Sequence, residues 1–118
     1  ILDPDVSHES LYRKTHVNHP CAKWVRESLQ NYMWLFGLLK CLCTEYTFRY
    51  KRIHASERLL DVLKVPPENI PLRPRTPFAL AMPDEYKIGG ALESYREYYR
   101  TGKVHLHSWK LRKKPCIL

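Results

Sequence analysis

Apolar residues in this chain recur at helical rather than alternating intervals. Cys21, Val25, Ser28/Leu29, Tyr32, Leu35/Phe36, Leu39, Leu42/Cys43 and Tyr46 follow one another at steps of three or four, the interval that stacks side chains on one face of an α-helix. The pattern predicts a long helix over 20–36 that runs on toward Tyr50, with Asn18 as its cap and Pro20 in its first turn. Its apolar stripe is wide, which places it at the centre of a bundle. Gly37 marks a bend, and Glu45 and Arg49 are spaced to pair on one face. A short helix is expected over 56–64, capped by Ser56, with Leu59, Leu60 and Leu63 inward and Pro66-Pro67 as its stop. A last helix is expected over 91–101, with Tyr95 and Tyr98/Tyr99 on one side and Gly102 ending it.

Between these helices, residues 65–83 hold Pro66, Pro67, Pro71, Pro74, Pro77 and Pro83. So many prolines predict a stiff loop strapped across the bundle, anchored by Phe78 and Met82. Residues 1–18 read as an irregular arm and 110–118 as a basic tail, with an extra helical turn within Val104–Trp109. There is no internal repeat and no alternating strand pattern. The expected fold is all-α, a compact helical bundle in a single domain over 1–118.

Composition narrows the function classes. A chain of 118 residues can build one core,. Its longest apolar run, Met33–Leu39, is far short of the roughly 20 residues that span a bilayer, so no membrane partner is expected. Lysines and arginines number 20 against 12 acids, a formal charge of +8. That excess favours polyanion partners. The cations come in short runs: Arg13-Lys14, Arg49-Tyr50-Lys51-Arg52, Arg73-Pro74-Arg75, Arg96/Arg100/Lys103 and Lys110 to Lys114. Several lie beside Tyr or Trp, which suits a ligand offering both phosphates and bases.

The four cysteines, Cys21, Cys41, Cys43 and Cys116, read as free structural thiols buried in the core, since no secretory signal precedes them. With His16 and His19 they lack the paired spacing of a zinc site, so no metal is expected. No cofactor is implied either: with four glycines there is no phosphate-cradling loop, and nucleophile elbows and HExxH are absent.

Two clusters could carry chemistry. In the first, Glu27 and Asn31 are four apart and would share a helix face, with Arg26, Ser28 and Tyr32 beside them and Trp24 preceding. A carboxylate, an amide and a hydroxyl on one face could bind a polar ligand or position a water. The same residues would equally form a buried hydrogen-bond network or a solvated ridge. In the second, Arg96 and Arg100 align, as do Tyr95 and Tyr99, with Lys103 and His105 extending the basic face and Lys110 to Lys114 reading as a solvated tail or phosphate clamp. Rows of cations and rings suit a phosphate backbone with unstacked bases, or simply a helix with its tyrosines half in the core.

The blocks Asn18-His19-Pro20-Cys21, Trp24-Val25-Arg26-Glu27-Ser28, Asn31-Tyr32, Glu45 to Tyr50 with His54, Thr76-Pro77-Phe78, Ala81 to Tyr86, and Tyr95-Arg96 with Tyr98-Tyr99 resemble a small family found chiefly in tailed bacteriophages. Some of its members carry the label pyrimidine-dimer DNA glycosylase. The resemblance spans about residues 11–110. It implies a protein of the cytoplasm of an infected bacterial host, with nucleic acid, DNA foremost, and other phage proteins as partners. Members of that family begin with a segment containing an Asp-Lys-His-Val-type motif that this chain lacks, so part of any catalytic site is expected to lie outside it. The label implies base excision, which needs an amine that forms a Schiff base or a carboxylate that activates water, acting on an extruded nucleotide. Glu27, then Asp84 and Glu45, are the candidate carboxylates, and Lys103 the candidate amine. Arg26, Asn31, Arg49, Arg96, Tyr99, Arg100 and Lys113 are the candidate nucleic-acid contacts. Two other readings stay open: a non-enzymatic basic subunit that docks on nucleic acid or another phage protein, and an enzyme acting on a free nucleotide.

Overall fold

The computed structural model describes residues 11–116; the first part of the expected arm and the end of the basic tail lie outside them. The fold is all-α, with no strand among the described residues. Contacts divide the chain into two compact units, Ile1–Thr76 and Pro77–Leu118, where the length leads one to expect a single domain. The division falls within the Pro-rich stretch, where no helix crosses it.

The first unit is built on two helices, α1 (Pro20–Glu27) and α2 (Leu29–Tyr50). The long helix expected from the periodicity is therefore broken at Ser28, which is extended at φ −155° and ψ 140°. Periodicity cannot register such a break, because one extended residue hardly disturbs the spacing on either side. Ser28 accounts for it: its hydroxyl accepts from the backbone N–H groups of Gln30 and Asn31 and so caps α2,. The cap of α1 is His19 rather than Asn18, its ring accepting from Cys21 N–H at 3.1 Å. Pro20 occupies the first turn as expected,.

Gly37 does not interrupt α2, which runs unbroken to Tyr50 and closes on Lys51 in the left-handed region at φ 55°,. A 3₁₀ turn (Ala55–Leu59) then leads into α3 (Leu60–Leu63). His54, not Ser56, caps this turn by accepting from Ser56 N–H. Tyr32 donates its hydroxyl to Leu63 O at 2.5 Å and so ties α2 to α3. The core of the unit is Trp24, Val25, Tyr32, Cys43, Leu59 and Ile70. Of the apolar stripe, Cys21 of α1 is exposed, and so are Leu35 and Leu42 of α2, whose buried side carries Tyr32 and Cys43. The thiols depart from expectation in the same way: all four are free, but only Cys43 is buried. Burial, and then the charge of Glu57, push the Cys43 thiol up from its ordinary value.

The second unit holds a 3₁₀ turn (Asp84–Tyr86), α4 (Ala91–Glu97) continuing into a π-helical turn (Tyr98–Gly102), and a final 3₁₀ turn (Val104–Leu106). Tyr95 donates its hydroxyl to Ala79 O at 2.5 Å and accepts from Ala81 N–H at 3.1 Å. It thereby pins residues 79–81, a task expected of Phe78 and Met82, which are only half-buried. Gly102 is needed for space rather than for a left-handed backbone. A Cβ there would stand 2.8 Å from the Tyr86 hydroxyl and 2.9 Å from the Tyr98 ring.

Two outcomes follow for stability. Nothing lies within 4 Å of a Cβ built on Gly37, and the residue sits inside a helix. Gly37→Ala should raise the unfolding free energy by about 1 kcal/mol, read as a higher urea midpoint at unchanged m-value. Burial raises the Tyr32 phenol above its ordinary value of 10.0. The folded state thus favours the neutral phenol, and this contribution is present below that value and lost as pH rises through it toward the raised folded value. Urea midpoints measured from neutral to strongly alkaline pH should fall less steeply for Tyr32→Phe than for the parent.

Candidate functional site

The corner between α1 and α2 gathers the polar groups singled out in the sequence. Asn31 and Ser28 are wholly buried. Asn31 donates through Nδ2 to Trp24 O at 2.7 Å and to Thr76 Oγ1 at 2.8 Å, and its Oδ1 accepts from Thr76 N–H at 2.9 Å. Ser28 Oγ lies 2.7 Å from both Arg73 O and Pro74 O and shares its one proton between them. Leu29 N–H donates to Pro71 O at 2.8 Å, and Trp24 Nε1–H to Thr76 O at 3.2 Å. Thr76 Oγ1 donates its own hydrogen bond to Glu27 Oε2 at 3.2 Å. Residues 71–76 are thus held to the corner through their backbone.

This network is one of the readings that the sequence leaves open, and Asn31, one of the residues expected to touch nucleic acid, is consumed by it. Asn31 has no exposed atom to offer a ligand, and both its amide protons are engaged. Glu27 and Asn31 do come together, though not as residues of one helix face: Glu27 ends α1, Asn31 begins α2, and Thr76 bridges them. Glu27 itself is exposed. Beside it, Arg26 has one terminal guanidinium nitrogen, Nη1, that is buried without a hydrogen-bond partner. A shallow groove of about 480 Å³ lies alongside, lined by Leu29, Gln30, Leu72, Arg73 and Pro74. Neither Glu27 nor Asn31 lines that groove.

The second cluster belongs to the second unit. Arg96 is exposed, and Arg100 pairs with Glu97. The switch from α4 to the π-helical turn after Glu97 alters the residues per turn, so Arg96 and Arg100 do not keep the register expected of one α-helix. Tyr95 spends its hydroxyl on residues 79–81, while Tyr99 remains half exposed. The Lys103 ammonium lies 5.1 Å from the Tyr98 ring centroid. Asp84 bonds Lys87 at 2.9 Å, and this hydrogen bond, then the lysine's charge, hold its carboxyl below the ordinary range. An exposed carboxylate so paired is kept ionised and is poorly suited to donate a proton. Lys113 is exposed.

At the far end of α2 the structure assembles a group that the sequence shows only as scattered letters. Arg49 pairs with Glu45 at 2.9 Å as their spacing predicts. The Tyr46 and Tyr50 rings are 4.6 Å apart, and His54 meets Tyr46 edge-on at 4.7 Å. Arg52 Nε donates to the Tyr46 hydroxyl at 3.2 Å. The Lys51 ammonium lies 4.8 Å from the Phe48 ring, and the Arg58 guanidinium 4.9 Å from that of Tyr12. Tyr12 and Ser56 hydroxyls are 3.3 Å apart, and this bond, with Arg58 adding to it, lowers the phenol's ordinary value. The signal available in sequence was the density of rings and cations over 46–54; the contribution of Tyr12 and Ser56 needed the fold.

Among the described residues no group of three or more His, Cys, Asp or Glu side chains could hold a metal ion, and no helix is long and apolar enough to cross a membrane. Comparisons with protein-family models, curated proteins and solved structures find no match to this chain.

The corner's role can be measured. Asn31→Ala leaves Thr76 N–H and Trp24 O without their partner in a dry site. Each buried unsatisfied group costs about 1–3 kcal/mol, so unfolding free energy should drop by about 3 kcal/mol in urea titration. Glu27→Gln, at an exposed position, should change it by less than about 0.5 kcal/mol.

Proposed function

We propose that this protein binds nucleic acid, DNA foremost, through cations seated on aromatic rings at its surface. The observation that carries the reading is their recurrence in both units: Lys51 on Phe48, Arg52 on Tyr46 and Arg58 on Tyr12 in the first, Lys103 on Tyr98 and Lys114 on Trp109 in the second. A cation held beside a ring is pre-placed for phosphate, and the ring offers stacking surface to a base. The net charge of +8 supplies the long-range attraction,.

Base processing of the glycosylase type is the enzymatic extension of this reading, and it rests on the family resemblance. Its support in the corner is the exposed Glu27 carboxylate, which accepts a hydrogen bond from Thr76 Oγ1 and is thereby oriented. One observation favours the alternative of a non-enzymatic docking subunit: Ser28, Asn31 and Thr76 satisfy one another and leave little polar capacity for a substrate.

Affinity for DNA should fall steeply with salt, each neutralised phosphate adding about 0.9 (duplex) or about 0.7 (single strand) to the slope of log K against log salt concentration. Lys51→Ala and Lys103→Ala should each reduce that slope by about one. Absence of binding to both duplex and single-stranded DNA at low salt overturns the reading. On DNA carrying damaged bases, Glu27→Gln should abolish turnover and retain binding. If the parent shows no turnover either, the enzymatic extension fails and the docking subunit stands.

A further inference from the structure

We infer that the end of α2, with the turn that follows it, is a track for an unpaired nucleic-acid strand. This inference rests on the nucleic-acid reading and adds a ligand class to it. Three of the rings, Tyr50, Tyr46 and His54, form a contiguous row, and Tyr12 is linked to it only through Ser56. Tyr50 lies on Tyr46, His54 meets Tyr46 edge-on, the His54 ring accepts from Ser56 N–H, and the Ser56 hydroxyl meets that of Tyr12. Arg52 and Arg58 sit against the rings of Tyr46 and Tyr12, one cation toward each end. Tyr12 is 59% exposed and Tyr50 44%, so both terminal members reach solvent.

The chemistry of the row selects between double and single strands. A duplex keeps its base faces stacked inside and shows a protein only phosphates, sugars and groove edges. Cations alone would serve it, and exposed rings would gain little. An unpaired strand shows base faces as well as phosphates, and a stacked base is worth about 1–3 kcal/mol at each ring. The row is also organised before any ligand arrives. Arg52 is fixed by the Tyr46 hydroxyl, His54 by its bond to Ser56, and Tyr12 by its hydroxyl contact. Little side-chain freedom remains to be lost on binding.

The test compares labelled oligothymidylate with a blunt duplex of matched length by fluorescence anisotropy on the full chain, with heparin as competitor. The single strand should bind at least about tenfold more tightly than the duplex. Tyr50→Ala and Tyr12→Ala should each weaken single-strand binding at least about fivefold and leave duplex binding unchanged. Arg52→Gln should lower the single-strand salt slope by about one. Circular dichroism checks that each variant is folded, and Tyr12→Phe serves as a second variant that keeps the ring. Equal affinity for the two DNA forms, or alanine variants that bind like the parent, overturns the track while the nucleic-acid reading stands. Displacement by heparin at equal charge concentration, with no advantage for oligothymidylate, also overturns it and marks a general polyanion surface. Failure to bind either DNA form overturns both.

Discussion

The burial of Asn31 governs how the first unit is put together. A side-chain amide removed from water must find partners for two donors and a carbonyl, or cost several kcal/mol. Trp24 O, Thr76 Oγ1 and Thr76 N–H meet those demands, and each requires something of the backbone. Trp24 O is near enough only because the chain breaks at Ser28 and turns from α1 into α2. Thr76 is near enough only because residues 71–76 are laid against that turn. Ser28 completes the arrangement by capping α2 and holding the carbonyls of Arg73 and Pro74. The apolar core then has a fixed frame: Trp24 and Val25 from α1, Tyr32 and Cys43 from α2, with Leu59 and Ile70 closing it.

A corner so fully satisfied has consequences for function. Polar groups that complete one another's hydrogen bonds are poor ligands for anything else, so the cluster most suggestive of a site in the sequence is chiefly structural. What it leaves for chemistry is at its edge, where Glu27 is exposed and Arg26 keeps one unpartnered nitrogen. On the nucleic-acid reading that we propose, recognition falls instead to rings and cations held at the surface. There the interactions are individually weak and screened by water. Their value lies in placement, because each cation is already beside the ring with which a nucleotide would share it.

Much of the helical architecture was legible beforehand because spacing alone reports it. The stripe from Val25 through Tyr46 predicted the helical run, Glu45 and Arg49 predicted their ion pair, and Pro20 predicted a helix start. Helix ends were less legible. His19 and His54 cap their elements with ring nitrogens, whereas Asn18 and Ser56 are the residue types that usually do so. The candidate site was legible in its membership but not in its meaning. Glu27 and Asn31 were rightly grouped, but for a reason that spacing does not contain, since Thr76 joins them across 45 residues or more of chain.

The amino-acid order by itself determined the helical class, the basic charge and the concentration of rings and cations over residues 46–54. Each of these is a local or additive property: periodicity within a few turns, a sum of formal charges, a density of residue types. Only the tertiary structure decided that Ser28 ends one helix and begins another, that Asn31 is interior, and that Tyr12 is linked through Ser56 to the rings of His54, Tyr46 and Tyr50. Those outcomes depend on which distant groups remove water from which polar atoms. Desolvation is a property of the folded surroundings, and nothing in the letters near Asn31 states that Thr76 will supply its missing partners.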